Sequence, residues 1–223
     1  MRSPFYWLLG LSLALMLTVV PFVYYRWEYT HSKRLRVVTE DKVYRSGQMT
    51  ASGFAEAVER YQIRTIINLQ DEFPDPEIAL GYFTRKTIKE SELCRQLGVH
   101  YVFLGPDLIS RKRVPHDRPP AIDKFLALMD DPATSPVLLH CRAGLHRTGV
   151  MVGVYRMEYE GWTHAQAIEE MKNHGFGEWP CTTANDYITQ YIAIFKPGIR
   201  NDSPSATPDA LRDNKWNQWI HHQ

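Results

Sequence analysis

A chain of 223 residues, 44% hydrophobic and 23% charged, is long enough for one ordinary domain with extensions and can bury a core. Its formal net charge of +1 excludes a global pull toward nucleic acid. Three widely spaced cysteines, Cys94, Cys141 and Cys181, exclude a disulfide framework.

From Phe5 to Tyr25 the chain carries no charged residue. As a helix rising about 1.5 Å per residue this run is about 30 Å long, which matches a bilayer core. Phe5, Tyr6 and Trp7 at one end and Phe22, Tyr24, Tyr25 and Trp27 at the other are placed as interface aromatics. A cleaved secretory signal is the competing reading. The bulky Pro21-Phe22-Val23-Tyr24-Tyr25 offers no small-residue cleavage site, so residues 1–27 are read as a retained single-pass anchor. Arg26, Lys33, Arg34 and Arg36 follow the span, against Arg2 and the amino terminus before it, which places the rest of the chain on the cytoplasmic side. Residues 28–36 read as a polar linker whose cations can rest on anionic headgroups.

Strands are expected at Val43–Arg45, Thr65–Leu69, His100–Leu104 and Val137–His140. Helices are expected at Ala51–Tyr61, Thr87–Leu97, Pro120–Met129, Gly149–Tyr159, His164–His174 and Thr183–Phe195. Gly98 stands where a helix ends, Pro119-Pro120 where one begins, and Thr163 at an N-cap. Strands alternating with helices imply an α/β fold, with a largely parallel sheet of about four to five strands between helices. Such sheets bind ligands beyond the carboxyl ends of their strands. Residues 197–223 are rich in Pro, Ser, Asn and Asp and read as a disordered tail, in which Trp216, Trp219 and Ile220 are the candidates for a small docking element.

The most informative stretch is His140-Cys141-Arg142-Ala143-Gly144-Leu145-His146-Arg147-Thr148. It follows an apolar run and leads into a buried helix, and a strand, a tight loop and a helix N-terminus make an anion site of backbone amides. A thiol in such a place, near cations, ionises more readily than a free one. Arg147 supplies a planar fork for two phosphate oxygens and for charge developing in transfer. Thr148 offers a hydroxyl to the sulfur, and His140 is placed to orient the loop. Most cysteines only pack, and that remains the expectation for Cys94 and Cys181, with a resolving partner for oxidised Cys141 as the alternative. A zinc site from His140, Cys141 and His146 fits none of the common spacings, so no metal and no cofactor is expected.

This stretch resembles the active-site loop of the cysteine-dependent tyrosine and dual-specificity phosphatases: His-Cys, five residues, Arg, then Ser or Thr. Lys42-Val43-Tyr44-Arg45-Ser46-Gly47-Gln48, Ile63-Arg64-Thr65-Ile66-Ile67-Asn68-Leu69 and Asp131-Pro132-Ala133-Thr134-Ser135-Pro136 are similar to segments of the small atypical branch. The resemblance covers residues 37–196. It implies hydrolysis of phosphate monoesters, on a phosphorylated protein or a small phosphorylated substrate, through a cysteinyl-phosphate. Arg142, Ala143, Gly144, Leu145, His146 and Arg147 would cradle the phosphate. In the family an aspartate about thirty residues before the cysteine protonates the leaving group. Asp107 fits that spacing, Asp117 has an Asp-x-Pro-Pro look found in some members, and Asp71 is a more distant third; Asp107 is preferred. Phosphoinositide- and inositol-phosphate-hydrolysing relatives suggest an alternative substrate, for which Arg142, His146 and Arg111-Lys112-Arg113 supply charge, although Leu145 stands where such relatives often carry lysine. A catalytically weak phosphate-binding module and a membrane-tethered scaffold are the non-enzymatic alternatives.

Overall fold

The structure, a computed structural model, describes residues 4–105, 118–177 and 189–200. Chain order is α1 (Pro4–Arg26), a π-helical turn (Trp27–His31), β1 (Arg36–Thr39), β2 (Val43–Gly47), α2 (Ala51–Tyr61), β3 (Thr65–Asn68), β4 (Glu77–Ala79) and β5 (Thr87–Lys89). Then come α3 (Glu90–Leu97), β6 (His100–Phe103), α4 (Pro120–Asp130), β7 (Val137–Cys141), α5 (His146–Tyr159), α6 (His164–Asn173) and α7 (Thr189–Ile194). The main sheet has the order β1-β2-β7-β3-β6, parallel throughout except for β1, which pairs antiparallel at one edge.

Side chains alternate across the sheet, as a period of two requires. Val43, Ile67, Val102, Val137 and Leu139 pack with Phe125 of α4, Val150 and Val154 of α5, Met171 of α6 and Ile192 of α7. Tyr44, Ile66, Tyr101 and Leu138 face the other way, onto Phe54 and Ala57 of α2 and Leu93 and Cys94 of α3. β7 lies between β2 and β3 and is buried along its whole length, which explains its unbroken apolar sequence. Its carboxyl end is Cys141, so the central strand delivers that thiol to the rim where ligands bind in open parallel sheets. The caps follow the sequence signals. Thr163 and Gln166 form a reciprocal capping box on α6, Pro120 opens α4, and Gly98 ends α3 in the left-handed region at φ 69°.

Four expectations need correction. The stretch from Thr87 does not begin a helix: Thr87–Lys89 pairs with Glu77–Ala79 in a two-stranded ribbon, and the helix starts at Glu90. The β-branched Thr87 and Ile88 favour that pairing, and the Thr87 hydroxyl donates to Glu77 at 2.9 Å. α5 starts at His146 rather than Gly149, so the arginine and the threonine of the loop motif already belong to its first turn. The presumed linker 28–36 is structured. Trp27–His31 forms a π turn, His31 is buried with Nε2 donating to Glu56 at 3.0 Å, and Arg36 opens β1. His31 finds its partner on α2 and Arg34 on the loop after β7, contacts that no local pattern encodes. The start of the expected tail is also tied down, since Arg200 pairs with Asp130 and Glu158. Cys181, residues 183–188 of the last expected helix, and Trp216, Trp219 and Ile220 lie outside the described residues.

By length and composition α1 is a helix that can cross a membrane. Its large side chains, Leu8 and Leu17 among them, are exposed rather than packed on the domain. Docking of the turn behind it depends on Gly53, where a Cβ would run into the carbonyl oxygen of His31. Gly53→Ala should therefore lower stability by about 1–3 kcal/mol, the usual range for overpacking, read by denaturant unfolding of the full chain in detergent. An unchanged midpoint would mean that the turn is not docked.

Candidate active site

The loop between β7 and α5 is held by its carbonyls. Arg142 O accepts from the Gln48 amide at 3.3 Å, Ala143 O from Arg34 Nη1 at 2.9 Å and Gly144 O from Arg45 Nη2 at 2.9 Å. A planar trans peptide points its N–H opposite its C=O. Three successive carbonyls bound from outside therefore turn the amides of Ala143, Gly144 and Leu145 toward the concave side. One reaches the thiol directly: Gly144 N donates to Cys141 Sγ at 3.2 Å, a contact that suits a thiolate. Gly144 sits at φ 74°, and a Cβ there would stand 2.6 Å from Gly47 N and 2.7 Å from Ser46 O. Only glycine allows both the turn and the approach to β2. The result is a nest of amides at a helix N-terminus, which is an anion site.

Arg147, on the first turn of α5, points into the same concavity and holds two carboxylates. Its Nη1 and Nη2 meet Glu72 Oε2 and Oε1 at 3.0 and 3.1 Å, and Nη2 also pairs with Asp71. Asn68 builds the loop that carries these acids: its Oδ1 accepts from Gln70 N at 2.8 Å and its Nδ2 donates to Phe73 O at 2.9 Å. The two acids titrate differently. The hydrogen bond from Arg147 holds Glu72 at about 2, whereas burial, and then the hydrogen bond shared with Glu72, raises Asp71 above the usual carboxylate range. Burial and the charge of Arg147 lower His146. In this structure the two carboxylates occupy the arginine fork.

The floor is set by buried polar groups. His140 Nε2 donates to Glu90 at 2.6 Å, with both side chains fully enclosed, and the His140 ring stands edge-on to Phe54. This pair fixes the strand end from which Cys141 projects. Burial lowers Arg45 to about 10, and it stays charged at neutral pH to hold Gly144 O. Thr148 is buried, and its hydroxyl finds no partner among the described residues.

The wall comes from the segment behind α1. Lys33 O accepts from Gly47 N at 2.7 Å, and Arg34 lies over the ring of Tyr29 at 5.0 Å while it holds the loop. Lys33 and Arg34 both adopt positive φ, 42° and 60°. Such backbone costs of order 1–3 kcal/mol per residue and persists only where its surroundings enforce it. Tyr25, Tyr29, Lys33 and Arg34 line one cavity of about 510 Å³ together with Glu72, Cys141, Arg142, Ala143, His146 and Arg147.

The structure thus brings together Cys141, Arg142, Ala143, His146 and Arg147, with His140, Gly144, Leu145 and Thr148 forming the frame. Asp107, Asp117 and Arg111–Arg113 lie outside the described residues. Cys94, on α3, is buried in the core, where desolvation pushes its thiol up. The sequence reading missed Lys33, Arg34, Arg45, Glu72 and Glu90. Arg45 left one usable signal, a charge inside an otherwise buried strand, because an enclosed arginine must have a partner.

A family model described as the tyrosine phosphatase family matches residues 33–212, and the chain belongs to that family. The dual specificity protein phosphatase TpbA of Pseudomonas aeruginosa is 46% identical over 43 residues, which are 19% of this chain and 20% of that protein. The inositol diphosphatase DSP3 of Arabidopsis thaliana is 29% identical over 142 residues, 64% of this chain and 63% of that protein. In both pairs the match spans less than two thirds of the relative. Among solved structures, the core catalytic domain of the PP-IP phosphatase SIW14 from S. cerevisiae aligns over 83% of this chain and 93% of that one, at 20% identity and a TM-score of 0.52. That last likeness is one of fold.

The Arg147–Glu72 contact has a pH signature. A carboxyl held at about 2 against an ordinary 4.5 contributes stability that is present above 4.5 and lost as the pH falls toward 2. Wild type should melt above Glu72→Gln at pH 6, and the gap should shrink progressively between pH 4.5 and pH 2. A gap that stays constant with pH would mean that the ion pair does not form.

Proposed function

We propose that this protein hydrolyses phosphate monoesters through a cysteinyl-phosphate on Cys141. The phosphorylated substrate is a phosphotyrosine-, phosphoserine- or phosphothreonine-containing protein or a related small ester. The observation that carries the reading is the loop geometry: three outward carbonyls, an amide on Sγ and the Arg147 fork open on one cavity. In the first step the Cys141 thiolate attacks phosphorus, the P–O bond breaks, and the leaving oxygen takes a proton from a carboxylic acid. In the second step water attacks phosphorus, gives its proton to that carboxylate, and the P–S bond breaks to release phosphate and thiolate. The amides of residues 143–145 and Arg147 stabilise the equatorial oxygens, and Thr148 donates to the departing sulfur. Family spacing assigns the acid to Asp107. Asp71, raised by burial, is the carboxyl in the described cleft that most readily keeps a proton.

We also propose that α1 is a retained anchor and that the domain lies on the cytoplasmic side. The length and composition of α1 and the basic residues Arg26, Lys33, Arg34 and Arg36 support this.

With p-nitrophenyl phosphate, Cys141→Ser should abolish turnover, and wild type should keep its rate in chelator. Arg147→Lys should lose about 10²–10³ in kcat, because an ammonium cannot replace the paired contacts. A near-normal rate in Cys141→Ser would remove the cysteinyl mechanism, and one in Arg147→Lys would remove Arg147 from its assigned role. Asp107→Asn should slow poorly leaving phenyl or alkyl phosphates far more than activated ones and flatten the limb that reports a required proton. If Asp117→Asn or Asp71→Asn shows that pattern instead, the acid is reassigned to it.

A further inference from the structure

The tip of the β4–β5 ribbon, Leu80 to Lys86, lies outside the catalytic cavity and against the end of α1. Backbone bonds fix it. Leu80 N donates to Lys86 O at 2.9 Å and closes the tip, and Ser52 N, at the start of α2, donates to Leu80 O at 3.1 Å. Tyr82 holds it to α1. Its hydroxyl donates to Val23 O at 3.5 Å, Arg26 Nη2 donates to Tyr82 O at 3.1 Å, and the Arg26 guanidinium lies over the Tyr82 ring at 4.8 Å. Val23 stands inside the uncharged run that ends at Tyr25. The tip therefore reaches back along the last turn of the apolar helix.

Its composition suits that place. The Phe83 ring stands edge-on to Tyr82 at 4.6 Å and is 92% exposed, more than any large hydrophobic side chain of α1. From Leu80 to Lys89 the chain has no acidic residue, and its cations are Arg85, Lys86 and Lys89. Lys89 lies 3.9 Å from Asp75. Arg85 and Lys86 are exposed, and among the described residues no carboxylate pairs with either. An exposed aromatic flanked by cations, level with the end of an apolar helix, complements a bilayer surface. The ring meets the edge of the hydrocarbon, and the cations meet anionic headgroups. With α1 across a bilayer, the space beside Val23 is lipid, so a protein partner at Phe83 would have to displace it.

We propose that this tip is a second membrane contact: Phe83 enters the bilayer surface beside α1, and Arg85 and Lys86 rest on anionic headgroups. The contact rests on the reading of α1 as a retained anchor and adds a second point of attachment. Two points fix the stance of the domain, where one would let it swing. Ser52 ties the tip to α2, and Glu90, the residue after β5, holds His140 beside the nucleophile. The mouth of the Cys141 cavity, which Tyr25 lines, is thereby kept at a fixed height over the bilayer.

The test uses the full chain in nanodiscs of phosphatidylcholine and phosphatidylglycerol. A photoreactive p-benzoylphenylalanine replaces Phe83, Leu13 inside α1, or the exposed Glu59 at the opposite end of α2 from Ser52, and adducts are read by mass spectrometry. Phospholipid adducts are expected at positions 13 and 83 and not at 59. Arg85→Gln combined with Lys86→Gln should lower the yield at position 83 by about threefold or more, and by less in phosphatidylcholine alone. An adduct at position 13 without one at 83 would overturn the second contact and leave the anchor standing. A protein adduct at 83 would do the same in favour of a second copy of this chain. Equal lipid yields at 59 and 83 would overturn the fixed stance, and a yield at 83 unmoved by the double variant would remove the two cations from the contact. No lipid adduct at position 13 would defeat the anchor reading itself, and this contact with it.

Discussion

The contact on which the site depends is the approach of Gly144 to the end of β2. Two backbone segments meet there with no room for a side chain: a Cβ on Gly144 would stand 2.7 Å from Ser46 O, and one on Gly47 would stand 3.1 Å from Arg142 O and collide with Lys33. That closeness lets Arg45, inside β2, reach Gly144 O, and lets the Gln48 amide reach Arg142 O. With the carbonyls bound outward, the amides have one direction left. The anion nest follows from the packing of two glycines against each other, and the thiol and Arg147 are then set by the strand and helix on either side.

Charge is arranged in layers around this nest. Deepest is the enclosed His140–Glu90 hydrogen bond, which anchors the strand. Such a pair is weak as a source of net stability, yet losing one partner strands the other. Next is Arg45, charged and bonded through Nη2 to the loop. The outermost layer lies at the cleft: Arg147 rests on Glu72 and Asp71, the carboxylates that the proposed phosphate would displace. The inner layers are enclosed and fixed, whereas Glu72 is half exposed and free to yield.

Much of this was legible in the sequence because its signals are local. The apolar runs of β3 and β7, the cap at Thr163, the proline opening α4 and the Cys141-to-Thr148 spacing each lie within a few residues of one another. The α/β class and the position of the loop at a strand end followed from them. What escaped is non-local. Thr87–Lys89 reads as helix until Glu77–Ala79 is placed beside it. Residues 28–34 read as solvated linker until α2 and the loop supply partners for His31 and Arg34. Glu90 is an ordinary first-turn acid until the fold brings His140 against it, fifty residues along the chain. Glu72 is likewise a surface acid until it meets Arg147.

The central claim is that phosphorus is attacked twice, first by Cys141 and then by water. The stereochemical course at phosphorus reads this directly, with a phosphorothioate monoester made chiral by two oxygen isotopes and turned over by the full-length protein in water that carries the third. Two in-line displacements give net retention, which is the result the account predicts. Net inversion would mean a single direct attack by water and would contradict it.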